Sequence, residues 1–118
     1  MTNPSTPLIK HFVALIKIKP FDNSLVFVEK LADNIIYDLD LKVVKKVSYV
    51  FKPTGITLAY ILSQSHLVIH TYPESGFIHI DLSICVNRTK KEFESSLKHV
   101  FCKQKGCFID VRTINFGR

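Results

Sequence analysis

Cysteine is scarce in this chain, and its arrangement suggests neither bridges nor metal. The 118 residues include three cysteines, an odd number, and Cys85, Cys102 and Cys107 contain no CxxC spacing. That suggests no disulfide framework and offers no zinc-ligand pattern, so reduced thiols are the expected state. Long apolar runs are missing too. The longest stretch, from Ile56 to Leu62, already contains Thr57 and Tyr60 and falls far short of the roughly 20 residues that a membrane helix needs. The opening MTNPSTPLIK has no basic-then-apolar leader layout, so the expected compartment is the cytoplasm, with no membrane partner. Acidic residues are the minority, 10 against 16 Lys and Arg, for a net charge of +6. Such a balance permits nucleic-acid binding without arguing for it. The densest basic groups, Lys42/Lys45/Lys46 and Arg88/Lys90/Lys91, are not interleaved with aromatics. A solvated basic face, and no nucleic-acid partner, is the expectation. Repeats and low-complexity segments are absent.

What is present is ordinary globular composition, 47% hydrophobic and 22% charged, in a length that fits one domain. Residues 1–8 read as a flexible tail and 9–118 as a single domain. His11 to Ile18 reads as a strand closed by Pro20. Asp22 to Ser24 offer N-cap side chains for a helix carrying Phe27, Leu31 and Ile35 to about Asp38. Leu41 to Lys52 reads as a strand whose valines do not alternate cleanly, which suggests a bulge or a twisted edge. Ile56 to Ser63 and His66 to Thr71 are two further strands. Phe77 to Cys85 alternates, with Ile78, Ile80, Leu82 and Ile84 on one face and His79, Asp81, Ser83 and Cys85 on the other. Thr89-x-x-Glu92 is a capping box that opens a helix of about 14 residues, ended at Gly106. Cys107 to Ile114 closes the chain as a strand. The order β-α-β-β-β-β-α-β implies an α+β fold: a two-layer sandwich, mainly antiparallel sheet, with two helices on one face.

Residues with chemical potential concentrate between Thr57 and Cys85. Taken singly they are ordinary: Ser65 a turn residue, His70 a hydrogen-bonded strand histidine, Cys85 a small buried hydrophobe, Phe51 and Tyr72 core or rim aromatics. His11, His66 and His79 lack ligand spacing, so no metal is expected. Cys102 and Cys107 read as packing. It is the joint spacing that carries information. Ser65-His66, His70-Thr71-Tyr72-Pro73-Glu74, Asp81 and Cys85 follow in order, with weaker matches at Lys10-His11 and Phe51-x-Pro53-x-Gly55. This pattern resembles the bacterial and archaeal class of S-adenosylmethionine decarboxylases, the small pyruvoyl enzymes of spermidine synthesis.

The resemblance implies a cofactor made from the chain itself. Ser65 Oγ would attack the carbonyl of Gln64, β-elimination would split the chain between 64 and 65, and a pyruvoyl group would remain at position 65. Its ketone would take the substrate amine as a Schiff base and act as electron sink for decarboxylation. Thr57 would hydrogen-bond the oxyanion of the acyl shift, His70 would move a proton in the elimination, and Cys85 would reprotonate the substrate carbon. Phe51 and Tyr72 would sandwich adenine, and Glu74 would accept from the ribose. The resemblance also implies a homodimer of cleaved protomers.

Four positions depart from the family pattern: Gln64 stands for Glu, Leu15 for an acidic residue, Val86-Asn87 for a glycine after the cysteine, and Tyr72 for Trp. They keep two alternatives open. One is a pyruvoyl decarboxylase of another amino acid, arginine or ornithine. The other is a non-cleaving homologue that acts as a binding or partner subunit.

Overall fold

In a computed structural model, residues 6–18, 22–101 and 107–117 are described. The chain runs β1 (Ile9–Lys17), α1 (Leu25–Asp38), β2 (Val43–Val50), β3 (Ile56–Leu62), β4 (Ser65–Tyr72), β5 (Phe77–Ile84), α2 (Lys90–Phe101) and β6 (Phe108–Phe116). The six strands form one sheet in the order β2-β3-β4-β5-β1-β6, and every neighbouring pair is antiparallel. The expected α+β architecture and element order are therefore observed.

Alternation decides which face is covered. Phe12, Ala14 and Ile16 of β1, Leu58 and Tyr60 of β3, Leu67 and Ile69 of β4, and Ile78, Ile80, Leu82 and Ile84 of β5 are all buried. Val28, Leu31, Ala32 and Ile35 of α1 and Phe93, Leu97 and Phe101 of α2 close the same core. Each buried Val, Leu, Ile or Phe among them contributes about 1.5–3 kcal/mol on burial. Edge-to-face contact of Phe27 with Phe101, at 6.2 Å between ring centroids, locks the helices together, and Phe93 meets Phe12 of the sheet at 5.4 Å.

Local signals set the helix starts. Ser24 caps α1 by accepting from the Phe27 amide at 3.1 Å. In α2 the Thr89 amide donates to Glu92 Oε1 at 2.9 Å while Thr89 Oγ1 accepts from the Glu92 amide at 3.1 Å. These hydrogen bonds hold the Glu92 carboxyl below its usual range. The irregularity expected in the second strand is a register shift between Val43 and Lys45. Pro20, Cys102, Gly106 and residues 1–5 of the expected tail lie outside the described residues. Among the described residues no helix is long and apolar enough to cross a membrane.

Among the described residues the other sheet face carries no helix. Register places Thr57 beside His70, His70 beside His79 and His79 beside Leu15 in one row across β3, β4, β5 and β1. The candidate chemistry lies on this face and at its two ends.

Candidate active site

The site residues fall into two clusters. The first is at the β3–β4 turn, where Leu62 pairs with Ser65 and only Ser63 and Gln64 lie between. Gln64 sits in the left-handed region at φ +53°, a conformation costing a side-chain-bearing residue roughly 1–2 kcal/mol. Ser65 Oγ donates to the Ser63 carbonyl at 3.0 Å and accepts from the Cys85 amide at 3.1 Å. The Cys85 thiol is 3.6 Å from Ser65 Oγ and 3.5 Å from the Ser63 carbonyl. The serine adjoining the Gln64–Ser65 peptide and the thiol 20 residues later are thus in contact.

The second cluster is at the other end of β4. Thr57 Oγ1 and His70 Nδ1 are 2.8 Å apart. Burial holds the His70 pKa below the usual histidine range, and the neighbouring His79, 6.1 Å away between ring centroids, pushes the same way; Asp81 opposes both. His70 is therefore neutral near pH 7 and able to accept a proton. Beside it opens a cleft of about 510 Å³ lined by Phe51, Thr54, Gly55, Thr57, His70, Tyr72 and Glu74 among others. Phe51 and Tyr72 are each 46% exposed, so part of each ring is open to a ligand; Phe51 also contacts Tyr49 at 4.7 Å between centroids. A cleft of similar size between the helices, lined by Asp38, Glu92, Ser96 and His99, contains none of the motif residues.

Ser65 and His70 are five residues apart on one strand, which at about 3.3 Å per residue separates them by roughly 17 Å. The structure brings Ser65 together with Cys85, and Thr57 with His70, Phe51, Tyr72 and Glu74. It does not bring the two groups together within one chain.

Reading the sequence missed two polar networks. His11 Nε2 and His66 Nε2 lie 2.9 and 3.1 Å from the same oxygen of Asp81, which ties β1, β4 and β5 on the open face. Asn23, read only as a capping candidate, reaches Thr71 and Thr54. Partners so distant in sequence leave no local signal. Among the described residues no group of three or more His, Cys, Asp or Glu is placed to hold a metal.

Comparison with known proteins supplies the family. A family profile described as S-adenosylmethionine decarboxylase matches residues 20–114. A Clostridium botulinum (strain Langeland) protein named S-adenosylmethionine decarboxylase proenzyme is 35% identical over 82 residues, covering 68% of this chain and 67% of that one. A protein of the same name from Thermococcus gammatolerans is 35% identical over 74 residues, covering 61% of this chain and 50% of that one. The crystal structure of adenosylmethionine decarboxylase from Aquifex aeolicus superposes with a TM-score of 0.74 at 22% identity, covering 95% of this chain and 92% of that one. The chain belongs to the S-adenosylmethionine decarboxylase family.

Proposed function

We propose that this protein is a self-processing decarboxylase of S-adenosylmethionine, working in the cytoplasm, whose product is the aminopropyl donor for spermidine synthesis. The observation that carries the reading is the contact of Ser65 with Cys85 at a strained two-residue turn, in a chain of this family. The residues present suit a cofactor made in place. Ser65 has a fixed hydroxyl next to the scissile peptide, and the left-handed Gln64 is relieved when the turn opens. Gln64 in place of Glu does not forbid the shift, because only its backbone carbonyl takes part, although it removes a carboxylate from the cleavage site.

Cleavage between Gln64 and Ser65 leaves Met1–Gln64 and a second chain from position 65 to Arg118. Both stay in one fold, since β3 and β4 are joined by ladder bonds and buried side chains. A pyruvoyl group at position 65 supplies the electron sink for decarboxylation. Around it the chain's own residues have separate tasks. The Cys85 thiol delivers a proton to the substrate carbon that loses the carboxylate. Thr57 Oγ1 stabilises the oxyanion of the acyl shift, and neutral His70 takes the proton removed in the elimination. Phe51 and Tyr72 flank the adenine and attract the sulfonium, and Glu74 accepts from ribose hydroxyls.

These tasks need groups that one chain keeps roughly 17 Å apart. A homodimer resolves this, with Ser65 and Cys85 of one copy meeting Thr57, His70 and the cleft of a second. A two-fold axis then generates two identical composite sites. The helix-free sheet face supports such an association, since Leu15, Tyr49, Ile61, Phe108 and Ile114 are exposed on it.

The test is release of labelled carbon dioxide from carboxyl-labelled S-adenosylmethionine, arginine and ornithine in parallel. Release from S-adenosylmethionine alone is expected. Release from arginine or ornithine instead assigns another substrate, and release from none sinks the enzymatic reading.

A further inference from the structure

The cleft end of the sheet is held by a residue outside the motif. Phe51 and Tyr72 are half-exposed, so core packing does not fix their rings. The Phe51 ring leans on Tyr49, 4.7 Å away between centroids, and the distance between the two rings is then set by the backbones that carry them. Phe51 opens a short loop closed by its own amide donating to the Gly55 carbonyl at 2.8 Å. Tyr72 follows Thr71, a buried residue only 4% exposed. The Thr71 hydroxyl accepts from the Ile56 amide at 2.8 Å and donates to Asn23 Oδ1 at 2.8 Å. The other end of the Asn23 amide, Nδ2, donates to Thr54 Oγ1 at 3.3 Å in the Phe51 loop. One side chain therefore binds both walls of the cleft. It also stands on firm ground, because the next residue, Ser24, is the N-cap of α1.

We propose that Asn23 is a positioning residue for substrate binding: its amide spans Thr71 and Thr54 and sets the separation between the Tyr72 and Phe51 rings. The proposal rests on the reading that these two rings hold the adenine. Nothing in it requires Asn23 to touch substrate. Its contribution is to pre-organise the two faces, so that ordering them is not charged against binding. A residue that merely satisfies the buried Thr71 hydroxyl would affect stability and leave substrate affinity alone.

Steady-state decarboxylation of S-adenosylmethionine by the matured protein separates these cases, with Asn23→Ala, Asn23→Asp, Thr54→Val and Phe51→Ala compared. Asn23→Ala is expected to raise KM about tenfold with kcat within about twofold, the signature of lost ground-state and transition-state binding together. Asn23→Asp is expected to restore KM, because a carboxylate accepts from both threonine hydroxyls. Thr54→Val, at an exposed position, cuts only the tie to the loop and is expected to raise KM about threefold. An unchanged KM in Asn23→Ala and Thr54→Val, with a raised KM in Phe51→Ala, overturns the role of Asn23 and leaves the aromatic pair standing. An unchanged KM in Phe51→Ala as well overturns the adenine reading beneath it. A lower melting temperature in Asn23→Ala with KM unmoved also overturns the proposal. If Asn23→Ala does not fold, Thr54→Val decides, and an unchanged KM there is fatal.

Discussion

Ser65 and His70 share strand β4 but serve opposite ends of it, Ser65 in contact with Cys85 and His70 in contact with Thr57. If the working site combines both ends, it combines two chains, and complementation exposes this. Ser65→Ala and His70→Ala chains are each expected to be inactive alone. Co-expressed, half the dimers are mixed, and each mixed dimer has one of its two sites intact. Activity of about one quarter of wild type is expected. No recovery would place both groups in a site built by one chain.

The proposed function gives the Cys85 backbone and side chain separable tasks. Its amide holds Ser65 Oγ, while its thiol lies 3.6 Å away. Cys85→Ala keeps the amide and removes the thiol. The variant is expected to cleave itself still, yet to decarboxylate about 10²–10⁴-fold more slowly, the span of a lost general acid. Mass spectrometry follows the first and carbon dioxide release the second. Loss of cleavage with intact turnover in any matured fraction would reverse the assignment.

His79 provides a pH test. Burial and His79 both lower the His70 pKa. In the proposed self-cleavage the working form of His70 is the neutral base, so the cleavage rate is expected to hold as pH falls through the ordinary histidine value of about 6.5 and to fall off only at lower pH. His79→Gln removes the imidazole whose electrostatic effect disfavours protonated His70. The His70 pKa then rises toward the ordinary value, and the acid limb of the self-cleavage rate moves to higher pH. A limb that stays in place, or moves to lower pH, contradicts the coupling.

Much of the fold was legible because its signals are local. The alternation Ile78, Ile80, Leu82, Ile84 sorts β5 into a buried and an open face, and Thr89-x-x-Glu92 forms the reciprocal hydrogen bonds that its spacing implies. The candidate residues were gathered through the spacing of Ser65, His70 and Cys85, and the structure divides them between two clusters. That division was less legible. Five residues along a strand already set Ser65 and His70 apart, but only the register shows Thr57 on the far side with His70. Asp81 with His11, 70 residues away, and Thr71 with Asn23, 48 away, have no sequence pattern at all. Such contacts exist only once tertiary packing has chosen the strand order.

The capping box gives a stability test away from the chemistry. Thr89→Ala removes the acceptor for the Glu92 amide and is expected to cost about 1 kcal/mol. Thermal unfolding is expected at a temperature about 4 °C lower, with KM for S-adenosylmethionine unchanged. An unchanged melting temperature would mean that the first turn of α2 is held by packing alone.

The account depends most on self-cleavage at the Ser63–Gln64 turn. Intact mass of the purified protein under denaturing conditions tests it directly. Two fragments divided between Gln64 and Ser65, the second with a pyruvoyl mass at its head, are the expected result. A single uncleaved chain that persists after prolonged warming would contradict the account and favour a homologue that binds without turnover.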